Sequence, residues 1–228
     1  MIGILCAMER EIEELLENTQ VEEKRRLCGY EFVVGTLRGR HVVLCKCGVG
    51  KVNAAVCTQT MVLTWQLRLI INSGVAGALK EPFEVGDVCV ATDLVQYDVD
   101  TSALGDAPGF VSTVNKTSFR CAEWAVDGLL QAGRGLEGVR VLPGRIATGD
   151  RFVEDPETKN RIVRLFDAAA VEMEGGAIAQ VCYINGVDCA VIRAISDASN
   201  GRHAAEYQES MPLAAHVSAC IVMRFLES

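Results

Sequence analysis

Apolar runs with β-rich composition alternate along the chain with longer stretches in which apolar residues recur at helical spacing. Residues 2–7 (Ile-Gly-Ile-Leu-Cys-Ala) read as a buried strand, and residues 9–18 follow as a helix with Met8, Ile12, Leu15 and Leu16 on one face. Residues 31–37 and 41–47 read as a hairpin turning at Arg38-Gly39. Val49-Gly50-Lys51 then opens a helix to about residue 66, and 67–72 is a strand ending in the small-residue turn Ser73-Gly74-Val75-Ala76-Gly77. A strand at 87–97 leads into a loop over 98–116 that contains Gly105, Pro108 and Gly109. A helix at 118–132, a strand at 139–148 and a helix starting at Asp155 or Pro156 and running to 166 follow. The last elements are a strand at 168–172, a helix at 176–185, a strand at 188–195 and an amphipathic helix at 212–227 carrying Leu213, Val217, Cys220 and Ile221.

This alternation implies an α/β fold: a three-layer α/β/α sandwich around a mixed twisted sheet, formed by residues 1–228 as one domain. The early hairpin makes the sheet mixed rather than purely parallel. In such folds ligands collect beyond the carboxyl ends of the strands. Here those ends are rich in carboxylates and glycines: Glu11, Gly74 to Gly77, Gly149-Asp150, Glu172 to Glu174 and Ser196-Asp197.

Composition narrows the function. The 228 residues are 50% apolar, enough for a sizeable core and incompatible with a disordered chain. With 22 Lys and Arg against 30 Asp and Glu the formal charge is −8, which argues against nucleic acid as a partner. No apolar stretch reaches membrane-spanning length and no basic leader precedes the first apolar run, so no membrane partner is expected. Ten cysteines carry no C-x-x-C, and Cys45-x-Cys47 has no second ligand pair; they read as reduced, mostly buried thiols of a cytoplasmic protein, with no metal site.

Two polar clusters interrupt apolar strands. Glu172-Met173-Glu174 places a carboxylate on either side of a methionine where a strand stops; a solvated pair near a helix start is an equally good reading of those residues alone. Arg193, inside an apolar strand that ends in Ser196-Asp197, needs a facing carboxylate. Gly48-Val49-Gly50-Lys51 lies between a strand and a helix, as a phosphate loop would. Asn53 stands where a dinucleotide loop has its third glycine, and Val52 where a nucleotide-triphosphate loop has Ser or Thr, so a Rossmann oxidoreductase is a weak alternative.

Seven segments in order carry a family resemblance: Gly3-Ile4-Leu5-Cys6-Ala7-Met8-Glu9-Arg10-Glu11, Gly48-Val49-Gly50-Lys51-Val52, Asn72 to Gly77, Val85-Gly86-Asp87, Thr148-Gly149-Asp150, Val171-Glu172-Met173-Glu174 and Arg193 to Asp197. Together they resemble the 5′-methylthioadenosine/S-adenosylhomocysteine nucleosidases of the purine nucleoside phosphorylase superfamily, over nearly the whole chain. The resemblance implies hydrolysis of the bond between adenine and ribose. Asp197 then matches the general acid to the purine, with Ser196 as its hydrogen-bond partner. Glu11 matches the base that activates water, and Glu174 the carboxylate that holds the ribose hydroxyls. Phe152 would stack on adenine and the Val153 backbone would bond its edge. Met173 would lie against the ribose, and Met8, Val49 and Tyr207 would line the 5′-alkylthio pocket. Ala7, Val75, Ala76, Gly77, Glu172 and Arg193 complete the implied substrate site. The implied partners are a small adenine nucleoside and water, with no cofactor. A homodimer is implied, in which the neighbour's loop near 98–106 covers the 5′ pocket.

Three departures from the family pattern matter. Val75 stands where a serine near the ribose is common. The loop thought to cover the pocket is short, with Leu104 and Asp106. Gly201, Arg202 and His203 occupy the loop before Tyr207. Two other functions remain to be weighed: a phosphate-dependent purine nucleoside phosphorylase, which Glu11 disfavours by repelling phosphate, and a non-catalytic nucleoside-binding protein, which the presence of all three carboxylates disfavours.

Overall fold

The structure is a computed structural model that describes residues 1–197 and 203–228, with backbone alone for 203–206. The strands are β1 (Ile2–Cys6), β2 (Gln20–Leu27), β3 (Tyr30–Leu37), β4 (Arg40–Lys46), β5 (Leu69–Ala78), β6 (Val88–Gln96), β7 (Phe119–Arg120), β8 (Val141–Thr148), β9 (Ala170–Glu172) and β10 (Asp188–Asp197). The helices are α1 (Glu9–Glu17), α2 (Lys51–Thr64), α3 (Glu123–Ala132), α4 (Pro156–Phe166), α5 (Gly175–Asn185) and α6 (His203–Glu227). The mixed α/β architecture agrees with the sequence expectation.

The strands form one sheet in the order β10-β6-β8-β9-β5-β1-β4-β3-β2, with β7 on β6 and a further pairing of β10 with β5. That last pairing curls half of the sheet back on itself. β5 is parallel to β1 and to β10, while β9 runs antiparallel to it. The apolar runs Ile4–Leu5, Leu69–Ile71 and Ala190–Ile192 are fully buried, as expected of strands covered on both faces. Helices α1 and α3 pack on α6, which lies against β10 and β5; α2 packs on α5, which lies against β10, β6 and β8. Among the described residues no helix is long and apolar enough to cross a membrane.

Four local expectations are corrected. Ser73 to Gly77 is not a turn: β5 continues to Ala78 and is buried throughout. Small residues are required there because neighbouring side chains crowd the strand. A Cβ on Gly74 would sit 2.5 Å from Glu11 Oε1, and one on Gly77 would sit 2.7 Å from Asp197 Oδ2. Residues 119–120 pair with Leu94 and Asp93 as a short strand, so α3 begins only at Glu123. α6 begins at His203 rather than at 212, with Pro212 inside it. Gln20–Leu27 is a strand that the apolar pattern does not mark, because seven of its eight residues are exposed.

Candidate active site

The carboxyl ends of β1, β5, β9 and β10 converge on one cleft. Its walls are Ala7, Met8, Glu11, Val49, Val75, Ala76, Gly77, Phe152, Val171, Glu172, Met173, Glu174, Ser196, Asp197 and Tyr207. Fourteen of the sixteen residues that the sequence resemblance assigns to the site line this cleft; Val153 and Arg193 are the two that do not.

Glu11 enters the cleft from the first turn of α1. Its Oε2 accepts from the backbone N–H groups of Ala7 and Met8, each at 2.9 Å, and its Oε1 from that of Val75 at 3.0 Å. The residue at the serine position thus holds the carboxylate through its backbone, whatever its side chain. Burial pushes the Glu11 pKa up, against the pull of Arg193 and those three donors.

Arg193 lies behind the cleft rather than in its lining and is fully buried. Its Nη2 donates to Asn72 Oδ1 and Glu172 Oε2, and more distantly to Glu174 Oε2 at 3.5 Å. Desolvation works against its charge, yet Glu172, Glu174 and Glu11 together outweigh it and hold the guanidinium charged. Among the described residues, Nε and Nη1 have no hydrogen-bond partner.

The two carboxylates around Met173 behave differently. Glu172 is structural: Thr148 Oγ1 donates to its Oε1, and its Oε2 accepts from the N–H groups of Glu174 (3.0 Å) and Gly175 (2.7 Å) as well as from Arg193. It reaches the cleft wall with both oxygens already engaged. Among the described residues Glu174 has one firm partner, the Gly50 N–H at 2.8 Å. Burial and then Glu172 raise its pKa to about 7, against Arg193 and the Gly50 N–H.

The Gly48 to Lys51 segment therefore holds the protein's own anions at a helix start. Gly50 N–H binds Glu174, Lys51 N–H binds Asp150 Oδ1 at 2.7 Å, and Lys51 Nζ pairs with Asp98 at 2.6 Å.

Asp197 stands at the end of β10, after an irregularity in register between Ile195 and Asp197. Such a break re-aims the side chain that follows it. Ser196 Oγ lies 3.1 Å from Asp197 Oδ1 and 3.3 Å from the Ala76 carbonyl, so its single proton serves one of them at a time. Lys159 Nζ lies 3.8 Å from Asp197 Oδ2, and both side chains are almost wholly buried. The sequence reading missed Lys159, although it shares one face of α4 with the buried Ile162 and Phe166. A lysine on an apolar stripe was the available signal.

Phe152 and Tyr207 meet edge to face at the mouth of the cleft, with ring centroids 5.6 Å apart. Tyr207 Oη donates to Met8 Sδ at 3.3 Å, and burial followed by Glu11 and Asp197 pushes its pKa up to about 12. Val153 packs beside the cleft with Ile162, Phe166 and Val171 in a second apolar cluster. Gly201 and Arg202 lie outside the described residues, as does the side chain of His203.

Residues 1–227 match the family described as the Phosphorylase superfamily. The 5′-methylthioadenosine/S-adenosylhomocysteine nucleosidase of Shewanella halifaxensis is 35% identical over 227 residues, covering 99% of this chain and 98% of that protein. The chain belongs to this nucleosidase family. The nucleosidase of Neisseria meningitidis, solved in complex with methylthio-immucillin-A, is 34% identical with a TM-score of 0.95, covering 99% of this chain and 98% of that one. A futalosine hydrolase of Helicobacter pylori is 33% identical with a TM-score of 0.92, covering 99% and 97%. Enzymes of the nucleosidase family are N-glycosidases, and the cleft described above is the candidate nucleosidase site.

Proposed function

We propose that the protein hydrolyses the N-glycosidic bond of 5′-methylthioadenosine and S-adenosylhomocysteine, releasing adenine and the thioribose product. The observation that carries this reading is the convergence of Glu11, Glu174 and Asp197 on one cleft, each fixed by different neighbours. Breaking this bond leaves positive charge on the ribose and negative charge on the purine. Asp197 acts as general acid to the purine ring, Glu11 takes a proton from the attacking water, and Glu174 binds the ribose hydroxyls while favouring the cationic sugar. Phe152 stacks on adenine and the Val153 backbone bonds its edge. Met173 lies on the ribose, and Met8, Val49 and Tyr207 receive the 5′ substituent. The absence of a side chain at Gly74 leaves room for Glu11 and Arg193 beside β5.

A phosphorylase on the same fold would need an anion site next to the ribose. Here Glu11 fills that place, and the N-terminus of α2 is already taken by Glu174 and Asp150. Adenine release is accordingly expected to proceed at the same rate without phosphate and to yield a free thioribose. An absolute phosphate requirement, with a sugar 1-phosphate as product, would overturn the hydrolase reading.

Glu174→Gln tests the electrostatic part. Gln keeps a hydrogen bond to ribose but removes the charge that matters most in the transition state, so kcat should fall more than KM rises. In the wild type, kcat/KM should decline as pH falls through about 7, where Glu174 takes up its proton, and the variant should lose that contribution to the acidic limb. A carboxyl whose folded pKa is raised contributes stability at low pH that is lost as pH rises through the folded value. Glu174→Gln should therefore raise the melting temperature at pH 8 but not at pH 4. A large KM effect with unchanged kcat would reduce Glu174 to a binding residue.

The reading extends to a cytoplasmic homodimer. All ten cysteines are free, as a reducing compartment maintains. Val52, Val56 and Leu63 on α2 and Tyr183 and Ile184 on α5 are exposed on two helices that pack together, Val52 at 73% and Leu63 at 77%. Leu104, in the loop assigned to the partner's 5′ pocket, is 84% exposed. A second copy covering this surface is expected in sedimentation at micromolar concentration; a fully active monomer would rule out a pocket shared between subunits.

A further inference from the structure

We propose that Glu14, His216 and Cys220 form a binding site for a divalent transition-metal ion of the zinc class, on the outside of the α1–α6 contact. His216 and Cys220 stand one turn apart on one face of α6, and Glu14 reaches them from α1. His216 Nδ1 lies 2.7 Å from Glu14 Oε2. Cys220 Sγ lies 3.8 Å from Glu14 Oε1, 3.9 Å from His216 Nδ1 and 3.5 Å from Nε2. One ligand atom from each residue falls within 4.8 Å of the others. Metal bonds of about 2.0–2.3 Å at tetrahedral angles require ligand separations of roughly this size.

The donor set selects the ion. Imidazole and thiolate beside a single carboxylate suit zinc, cobalt or nickel and are a poor match for calcium or magnesium, which take oxygen. The His216 side chain is 56% exposed, so solvent completes the coordination from the open side. In the metal-free protein, burial and then Glu14 push the Cys220 thiol pKa up, against Arg224 and Arg38. Binding of a cation there would displace the thiol proton. Eight other cysteines are buried; Cys28, the remaining one, is exposed and supplies a control.

The ion would act as a staple. Glu14 lies three residues along α1 from Glu11, and α6 carries Tyr207, so α1 and α6 each bring one wall of the cleft to the metal-tied contact. The site stands apart from the proposed catalytic groups and holds whether or not the hydrolytic reading does.

The test is titration of tag-free full-length protein with Zn²⁺ by calorimetry and with Co²⁺ by absorption. One ion per chain is expected, with a sulfur-to-cobalt charge-transfer band in the near ultraviolet and a rise in melting temperature on adding Zn²⁺. His216→Ala, Cys220→Ser and Glu14→Gln should each weaken binding by about tenfold or more, whereas Cys28→Ser should leave it unchanged. Adenine release by Cys220→Ser without metal should equal that of the wild type. Saturable binding weaker than about 100 μM, about 5.5 kcal/mol, would overturn the proposal. So would a cobalt complex lacking the sulfur band, or an affinity that none of the three substitutions changes.

Discussion

Asp197→Asn is expected to cut adenine release by about 10²–10⁴-fold, the range for a lost general acid, while the melting temperature stays close to that of the wild type. Asn has the shape of Asp and can still meet the Ser196 hydroxyl, so the end of β10 keeps its place. What it cannot do is hand a proton to the purine. The leaving group then departs with its full negative charge. The fall should be in kcat, with substrate still binding, because the lost interaction belongs to the transition state. A variant that turns over methylthioadenosine near the wild-type rate would show that another group supplies the proton. Lys159, whose ammonium group lies 3.8 Å from Asp197 Oδ2, would be the first to examine.

Arg193→Met should be the most damaging change to the fold among the site residues. The guanidinium is the shared cation for Glu172, Glu174 and Glu11, and all three carboxylates are buried. Removing one partner of a buried ion pair costs about 3–5 kcal/mol, which in a chain of this size corresponds to a fall in melting temperature of about 10 °C. Activity should fall with it, because Glu174 loses the positive neighbour that favours its ionised form and takes up its proton at still higher pH. Arg193→Lys should rescue little, since one ammonium cannot reproduce the planar contacts to Asn72 and Glu172. Loss of stability should be smaller at pH 5 than at pH 8, where more of the orphaned carboxylates are charged. An Arg193→Met protein that melts within a degree or two of the wild type would contradict this account of the network.

The strand ends were legible in the sequence because chemistry-bearing residues interrupt otherwise apolar runs. Asp197 and Glu174 stand out in that way, Arg193 does so by its charge alone, and Glu11, inside a charged helix start, is marked by its place after the first strand and by the family resemblance. Their partners were not legible. Glu172 and Glu174 look equivalent along the chain, yet Thr148, Gly175 and Arg193 occupy one of them and leave the other facing the cleft with a single backbone donor. That distinction arises from strands brought together by the fold. The errors in the elements have similar causes. Ser73 to Gly77 has the composition of a turn, but its small residues are there to admit Glu11, Arg193 and Asp197 beside a buried strand. Pro212 looks like the first residue of a helix, the place where its missing N–H does least harm, and instead lies nine residues into α6.

β2 carries a consequence for how the molecule behaves among its own copies. The pairing of β10 with β5 closes one end of the sheet, which leaves β2 as a long edge beyond β3. Its exposed backbone would template another strand if its side chains allowed it. Glu22, Glu23, Lys24, Arg25 and Arg26 follow one another there, all exposed and of both signs. Adding a strand would strip water from this run of charge on each face of the sheet, which blocks edge-to-edge growth. The sheet therefore stops by charge rather than by cover, and aggregation through open β-edges is discouraged even when the protein is concentrated.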